Sequence, residues 1–563
     1  MRCALLLLLG VAFAAPAAAQ FGRDGNTSGG PLDPAQAAYD VSFYDLHVRI
    51  DPNARTLAGT LDVRARVVHP TDVLVLDLDS ALTARAVTVG EETAPFAQAG
   101  GHVHIVLGRT YQPGEDVTAS VLYGGTPREA ANPPWSGGFT WAQTADGRPW
   151  IAASNQGEGA DLWWPSKDHP SDEPDSMRIA LTVPSGLMAI ANGRSRGHHD
   201  AGGGWVTHEW FVSTPINNYG VSFGIGPYEV VERAYRSPFG YTMPVQFWVL
   251  PERRVDAERM LPEFLDHIRF LEETYGPYGF RDDGYKVLHT PYLGMEHQSL
   301  IAYGSTFSQT EFGFDWLHFH ELAHEWFANL LTASDWRDFW VHEGFASFSE
   351  ALYAEDVARR QGGDGYAAYL ANLMAHKPRI VNAIPVAPLA SRTTDEMYNL
   401  PTGGFNGDIY FKGAWFLHTL RWTLGDEAFF EALGRLAYED PRQQALQEGC
   451  ACRFVSTVDV QRTFEAAAGR DLGPLFEVYL RQPALPRLLV EPAGGGVRMR
   501  WVAPGGVLSG GAALEIPVEV EVGGRVQRVE MPDGEAVVPR PRGASLRIDP
   551  RGLLLADLDV ALD

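Results

Sequence analysis

The sequence predicts a multidomain α+β fold, in which an N-terminal β-sheet domain and a C-terminal β-sandwich flank a mainly helical domain. Three stretches carry this prediction. Residues 61–67 alternate apolar and charged side chains, which is the period of a half-buried strand. After Arg254 apolar residues recur every three or four positions, as in an amphipathic helix. Residues 514–522 return to alternation, and a Gly-Gly pair then favours a hairpin turn.

Length and composition limit the classes of protein to consider. The chain has 563 residues, enough for two to four domains, and its 45% hydrophobic and 20% charged content is typical of globular proteins. A net charge of −25 disfavours nucleic acid and anionic membrane surfaces, because both attract basic proteins. We therefore expect no nucleic-acid partner.

The N-terminus has the features of an export signal. Arg2 precedes an apolar run over residues 4–15, and three alanines end at Ala19. This pattern predicts a signal peptide over residues 1–19 and export to a periplasm or the outside. An uncleaved anchor is the alternative. The run is too short to span a bilayer, and no other apolar run of eighteen residues exists, so we expect no stable membrane span.

Changes in periodicity and composition predict the domain boundaries. Residues 20–35 are rich in Gly, Asn, Ser and Pro, which is typical of a flexible leader. The N-terminal β-rich domain is expected over 36–232, the helical catalytic domain over 233–485 and the β-sandwich over 486–563. Cys450 and Cys452 are the two cysteines that remain once the predicted signal peptide is removed. They could form a disulfide or remain thiols.

A short segment of the helical domain predicts a metal site. His320 and His324 lie four residues apart, so a helix over 315–331 would present both on one face. Glu343, on a second helix over 342–360, could supply a third ligand. Two histidines and one glutamate form a catalytic zinc set, because one coordination position stays open for water. Glu321 would then act as general base.

Other readings of this segment remain. The histidines could be satisfied by neighbours in a buried helix, with Glu343 capping a helix or forming an ion pair. Asp338, five residues before Glu343, could orient a ligand histidine through its other ring nitrogen. Three further histidines near the segment are expected to support the site or to pack: His297, His318 and His342.

Four motifs in order resemble the M1 family of zinc aminopeptidases, which are gluzincins with a thermolysin-like catalytic domain. The resemblance covers residues 39–485. The matching segments are Gln156-Gly157-Glu158 with residues 172–174, Leu293–His297, His320–Asn329 with residues 340–346, and Tyr410–Gly413.

The resemblance implies a role for each matching residue. His320, His324 and Glu343 would bind one zinc ion per chain, and Glu321 would activate its water. Tyr410 would stabilise the oxyanion. Substrate binding would fall to Glu296, which holds the α-amine, with assistance from Glu158, Gln156 and Gly294. Local readings compete: a solvated edge charge at Glu296, a packed aromatic at Tyr410 and a loop residue at Glu158.

The chain also departs from the family pattern. Leu293 and His297 stand where the family has Gly and Asn in its Gly-x-Met-Glu-Asn motif. These changes could alter the backbone around Glu296. The family's long helical C-terminal domain, in which some members place basic residues that bind a substrate carboxylate, has no equivalent in the predicted domains.

The leading functional hypothesis is an exported zinc aminopeptidase that acts on peptides with a free N-terminus. One alternative is a zinc endopeptidase, or a hydrolase of a non-peptide substrate such as an epoxide, with the same site. The other is an inactive peptide-binding protein. The oligomeric state is not predicted.

Overall fold

The computed structural model describes residues 27–561, apart from residues 306, 446–449, 507 and 509–511. The predicted signal peptide and residues 20–26 of the leader lie outside the described residues. Among the helices of the described ranges, none combines the length and the apolar character that a membrane crossing requires.

The N-terminal domain consists of three sheets. Its strands are β1 (Tyr39–Asp51), β2 (Thr56–Val67), β3 (Thr71–Asp77), β4 (Leu82–Val89), β5 (Glu92–Thr93), β6 (Phe96–Ala99), β7 (His102–Tyr111), β8 (Asp116–Gly125), β9 (Gly138–Gln143), β10 (Pro149–Ser154), β11 (Ser176–Pro184), β12 (Met188–Ala191), β13 (Arg194–Gly202), β14 (Trp205–Val212) and β15 (Phe223–Gly226). The sheet orders are β13-β14-β11-β1-β2-β8-β4-β5, β12-β15-β10-β9 and β3-β7-β6.

The alternation of residues 61–67 lies in β2, as predicted. In this strand the apolar side chains are buried and the charged ones are exposed. The strand pairs antiparallel with β1 and β8, and β1 in turn pairs parallel with β11. One face of the large sheet therefore contributes to the domain core, while the other faces solvent.

The catalytic domain combines helices with a five-stranded sheet and, from its last two strands, a two-stranded sheet. Its strands are β16 (Glu229–Arg236), β17 (Thr242–Val249), β18 (Tyr285–His289), β19 (Gly294–Met295), β20 (Leu300–Tyr303), β21 (Leu331–Ala333) and β22 (Arg453–Val455). Its helices are α1 (Arg254–Tyr275), α2 (Trp316–Ala323), α3 (Trp340–Arg360), α4 (Gly365–His376), α5 (Thr394–Tyr398), α6 (Phe411–Leu424), α7 (Asp426–Ala437), α8 (Thr457–Ala468) and α9 (Gly473–Phe476).

The sheet of this domain has the order β16-β17-β18-β20-β19. Because β16 pairs with β17 along its whole length, the first domain boundary falls between Gly226 and Glu229. This position is a few residues before the predicted boundary at 232. Alternation continues across the junction, so periodicity alone could not show that β16 pairs with the later sheet.

The C-terminal domain is a sandwich of two sheets with the orders β27-β24-β23-β29 and β26-β25-β28. Its strands are β23 (Arg487–Ala493), β24 (Gly496–Val502), β25 (Val518–Val522), β26 (Arg525–Val529), β27 (Glu535–Pro539), β28 (Leu546–Ile548) and β29 (Asp557–Val560). Gly523 and Gly524 connect β25 to β26 with positive φ angles of 59° and 82°, which a two-residue type I′ hairpin turn requires.

The described part of the predicted leader makes specific contacts, although the sequence predicted flexibility. Gly30 donates its N–H to the carbonyl of Arg392 (2.9 Å), and Thr394 donates its N–H to the carbonyl of Ser28 (3.0 Å). Over residues 27–30 the leader is therefore held against the segment that precedes α5. Farther along the chain, Cys450 and Cys452 form a disulfide, one of the two alternatives considered.

Candidate metal centre and active site

Three buried side chains from two helices converge on one point. His320 lies on α2, His324 is the residue that caps the end of α2, and Glu343 lies in the first turn of α3. The two Nε2 atoms are 3.2 Å apart, and Glu343 Oε2 lies 3.3 Å from that of His320 and 3.4 Å from that of His324. The structure thus brings together the three predicted metal ligands.

The donor triangle has the dimensions of a zinc site. Four ligands arranged tetrahedrally at about 2.0 Å from zinc stand about 3.3 Å from one another, so three of them form a triangle of this size. The histidines offer nitrogen and Glu343 offers an anionic oxygen. Burial by itself would raise the pKa of Glu343, but the two imidazoles, with His324 foremost, bring it down to about 2. The residues present therefore fit a zinc ion.

Each ligand histidine is oriented through its second ring nitrogen. His320 Nδ1 lies 2.8 Å from Oε1 of Glu350 on α3, and His324 Nδ1 lies 3.0 Å from the carbonyl oxygen of Phe327. Both partners can only accept, so each Nδ1 carries the proton and each Nε2 is free to bind metal. The sequence analysis did not identify Glu350. Its place, seven residues or two helical turns after Glu343, was the available signal.

The carbonyl of Phe327 is available because α2 ends earlier than predicted. The sequence predicted a helix over residues 315–331, but α2 ends at Ala323. A wider turn follows over Glu325–Leu330, with non-helical backbone angles at Phe327 and Ala328. The apolar period continues through this turn, so the sequence did not reveal that the regular helix ends before Glu325.

The suggested role of Asp338 is wrong. Its carboxylate accepts hydrogen bonds from the N–H group and the hydroxyl of Thr457, at the start of α8. Asp338 therefore links the segment before α3 to the start of α8. The carboxylate that contacts His320 is that of Glu350. Asp338 and Glu350 were both acidic residues near Glu343, and only the packing of α3 against α2 distinguishes them.

The remaining histidines are buried near the centre. His318 Nε2 lies 2.9 Å from the hydroxyl of Tyr285, and His342 Nε2 accepts the N–H of Ala333 at 2.9 Å. Burial lowers the pKa of His297 and of His342 to about 3, so both are neutral. The contact of His318 connects α2 to β18, and that of His342 connects α3 to β21.

We predict that Glu350→Gln weakens zinc binding by about 10- to 100-fold, the usual effect of removing a partner of a metal-bound histidine. The amide is a poorer acceptor for His320 Nδ1–H, so the imidazole is less firmly oriented. Competition with a chelator of known affinity measures the change. Asp338→Asn serves as the control and should bind zinc as the wild type does. Equal zinc affinity in all three proteins would contradict this role of Glu350.

A second buried carboxylate lies beside the metal ligands. Glu296 follows edge strand β19, and its Oε1 accepts hydrogen bonds from Gln156 Nε2 (2.7 Å) and from the hydroxyl of Tyr219 (3.1 Å). Asn329 Nδ2 also donates to the carbonyl of Glu296 at 3.0 Å. Two side chains from the N-terminal domain thus orient a carboxylate of the catalytic domain. Tyr219 had no recognisable sequence signal, because its short 3-10 helix, Asn218–Gly220, belongs to none of the motifs.

The strand before Glu296 passes close to Glu321. A Cβ atom on Gly294 would lie 2.5 Å from Glu321 Oε1, so a larger residue would displace this carboxylate. Gly294 pairs with Tyr303 and Met295 with Ala302. The strand therefore keeps its pairing despite the departures from the family pattern on either side of it.

Glu321 lies within the same cluster. Ligand atoms of Glu296, Glu321 and His324 all fall within 4.8 Å of one another. Burial raises the pKa of Glu321 to about 8, opposed by the two histidines and assisted by the charges of Glu296 and Glu343. A carboxyl group with such a pKa can both take up and release a proton near neutral pH.

Tyr410 immediately precedes α6 and lies beside the metal triangle. Its ring stacks near that of His320, with centroids 6.3 Å apart, and its hydroxyl lies near Glu343 and Tyr398. Burial, followed by the charge of Glu343, raises the pKa of Tyr410 well above its usual value, so the hydroxyl remains a donor. Tyr398 is a second residue that the sequence analysis missed.

Glu158 has a different environment from Glu296. Its carboxylate accepts the N–H of Gly137, just before β9. The neighbouring carbonyl of Gly157 accepts a hydrogen bond from the hydroxyl of Thr394. The segment thus brings Gln156 into contact with Glu296, whereas the contact seen for Glu158 is with the loop before β9.

Two regions of the chain match models of known protein families. A family model described as "Peptidase M1 N-terminal domain" matches residues 41–219, and one described as "Peptidase family M1 domain" matches residues 295–447. Together these ranges cover more than half of the chain.

The chain is also similar to proteins that are named aminopeptidases. Glutamyl aminopeptidase of Homo sapiens is 24% identical over 80% of this chain and 47% of its own length, and aminopeptidase N of Haemonchus contortus is 25% identical over 52% and 31%. The chain therefore spans less than half of the length of these relatives. A solved structure of an M1 zinc metallopeptidase from Deinococcus radiodurans, with a bound Tyr-Ser-Ala substrate, is 25% identical with a TM-score of 0.64, and the match covers 80% of this chain and 95% of that one.

Proposed function

Because the chain belongs to peptidase family M1, we propose that it is a zinc-dependent aminopeptidase that releases N-terminal residues from peptides. The observation that carries the proposal is the position of Glu296, whose carboxylate lies within 4.8 Å of ligand atoms of Glu321 and His324. A carboxylate at this place can bind the α-ammonium group of a substrate through a charge-assisted hydrogen bond. The first peptide bond would then be the one next to the hydrolytic centre.

His320, His324 and Glu343 would hold one zinc ion per chain. When bound, zinc supplies Lewis acidity toward the scissile carbonyl and lowers the pKa of a water molecule. The contacts of His320 Nδ1 with Glu350 and of His324 Nδ1 with the carbonyl of Phe327 leave the Nε2 atom of each ring available to the zinc ion.

Protein side chains would carry out the proton transfers. Glu321 would take a proton from the attacking water and pass it to the leaving amine, a task that suits a pKa of about 8. Tyr410, whose raised pKa keeps its hydroxyl protonated, would donate a hydrogen bond to the developing oxyanion. Gln156 and Tyr219 would keep Glu296 pointed at the ammonium group.

The proposal predicts that a free N-terminus is essential. Wild-type enzyme should cleave free peptides and leave their N-acetylated forms intact, as judged by mass spectrometry of the products. Glu296→Gln should lower kcat/KM on free peptides by about 100-fold, because a hydrogen bond to a charged group contributes about 1.5–3 kcal/mol. The zinc content of the variant should equal that of the wild type.

Glu273→Gln provides the matched control, since this glutamate lies half-exposed on α1 in a surface ion pair. Equal cleavage of free and acetylated peptides would instead indicate an endopeptidase or another hydrolase. Peptide binding without turnover by zinc-loaded protein would indicate an inactive binding protein. Either outcome would refute the aminopeptidase proposal.

We also propose that the protein is exported after cleavage at Ala19, on the strength of the N-terminal sequence pattern alone. Expression of the full chain in a bacterial host tests this. Edman sequencing of the exported protein should begin at Gln20. Retention of the complete chain in the cytoplasm would contradict it.

A further inference from the structure

Residues 27–30 of the leader, which we call the leader strap, contact the N-terminal domain and α5 at the same time. Thr394, at the start of α5, donates its N–H to the carbonyl of Ser28 (3.0 Å), and its hydroxyl accepts the N–H of Ser28 (3.2 Å). Both residues are buried. The carbonyl of Gly30 lies 2.9 Å from Nε2 of His169 in the N-terminal domain. The strap is thus fixed to both domains by hydrogen bonds.

One path of contacts leads from the leader strap to Gln156. The hydroxyl of Thr394, which accepts the N–H of Ser28, also donates to the carbonyl of Gly157. Gln156 is the preceding residue, and its Nε2 donates to Glu296 Oε1 at 2.7 Å. A single buried hydroxyl therefore connects the strap, α5 and the segment that orients the proposed amine anchor.

A second path leads from the leader strap to Tyr219. Gly29 has a φ angle of 78°, and a Cβ atom on it would overlap the ring of Trp336. The Trp336 ring is buried, and its centre lies 5.5 Å from that of Tyr219 in an edge-to-face arrangement. The Tyr219 hydroxyl donates to Glu296 Oε1 at 3.1 Å. Both side chains that the N-terminal domain directs at this carboxylate are thus supported from the strap.

We propose that the leader strap positions Glu296 for the ammonium group of the substrate, with Thr394 as a positioning residue. This inference rests on the proposed aminopeptidase function. Gln156 and Tyr219 set the direction of the Glu296 carboxylate, and a charge-assisted hydrogen bond depends on direction as well as distance. None of the strap contacts described above involves a zinc ligand or Glu321. Displacement of the strap should therefore raise KM for peptides with little change in kcat.

Substitution of Thr394 tests the first path. Thr394→Val removes the hydroxyl at nearly constant size and should raise KM for a free tripeptide about three- to tenfold, the usual effect of one hydrogen bond. Thr394→Ser keeps the hydroxyl and should have the wild-type KM. Thr423→Val is the control, because its buried hydroxyl has no hydrogen-bond partner among the residues that the structure describes. An equal rise of KM in Thr394→Ser would contradict the role of the hydroxyl.

Gly29→Ala tests the second path, because its methyl group would meet the Trp336 ring. Gly202→Ala is the matched control: Gly202 has the same φ angle of 78°, but a Cβ atom there would have no other atom within 4 Å. Both variants place an alanine in the left-handed region, so the backbone strain is the same. Only Gly29→Ala should raise KM.

A double variant distinguishes positioning from a general loss of structure. If Thr394 acts through Gln156, Gln156→Ala/Thr394→Val should have no higher KM than Gln156→Ala alone. Additive effects would overturn the proposal. A fall in kcat at constant KM would also overturn it, because it would place the effect at Tyr398 of α5, beside Tyr410.

Thr394→Val and Gly29→Ala alter different points of the strap, so either one decides the question if the other does not fold. A wild-type KM in a folded sample of either variant would refute the corresponding path, and in both it would refute the proposal. Failure of wild-type enzyme to cleave the free tripeptide would instead refute the aminopeptidase function on which the proposal rests.

Discussion

Glu321→Gln is expected to lower kcat by about 10²- to 10⁴-fold, the usual contribution of a general acid–base group. The amide has the shape of the carboxylic acid but cannot accept a proton. The folded protein should tolerate the change, because burial already favours the neutral form of Glu321. The metal ligands are untouched, so zinc content should remain at one ion per chain.

Steady-state kinetics on a free tripeptide, together with elemental analysis of the same sample, would measure this effect. The two results must be read together, since loss of activity with loss of zinc would show only a damaged site. A zinc-loaded Glu321→Gln protein with a kcat within threefold of the wild type would refute the assignment of Glu321 as general base. The residual KM should change little, because substrate binding is assigned to Glu296.

Glu343→Gln is expected to abolish both activity and the stabilisation that zinc provides. The substitution exchanges the only anionic ligand of the proposed triad for a neutral amide, and we expect it to weaken binding more than the 10- to 100-fold effect of losing an outer partner. Zinc at 1,000 times its Kd stabilises a protein that binds it only when folded by about 4 kcal/mol. The wild-type melting temperature should therefore rise on zinc addition, and that of the variant should not.

Differential scanning fluorimetry with zinc, with chelator and after zinc is restored would record these shifts. In the wild type, chelation should remove the activity and added zinc should return it. Glu311→Gln, a change at an exposed glutamate, should behave as the wild type. An unchanged melting temperature and full turnover in the chelated wild type would show that the three side chains do not form a functional metal site.

Features set by neighbouring residues could be predicted from the sequence. The alternation of β2, the apolar stripe of α1 and the Gly-Gly turn between β25 and β26 follow from local periodicity and from backbone angles that glycine adopts readily. The same holds for His320 and His324, because a four-residue step places two side chains on one helix face. The family resemblance added Glu296 and Tyr410, whose positions beside the metal triangle no local pattern indicates.

Contacts between distant parts of the chain required the tertiary structure. Glu350 rather than Asp338 supports His320 because of how α3 packs on α2, and Tyr219 reaches Glu296 across two domains. The end of α2 at Ala323, after which the carbonyl of Phe327 contacts His324, is a local feature that the continuing apolar period did not indicate. The sequence by itself determined the ligands and the period of each element, since these depend on residues a few positions apart. The tertiary structure decided which side chain orients His320 and which residue of the N-terminal domain contacts Glu296, because both contacts depend on packing between segments far apart in the chain, which local periodicity does not record.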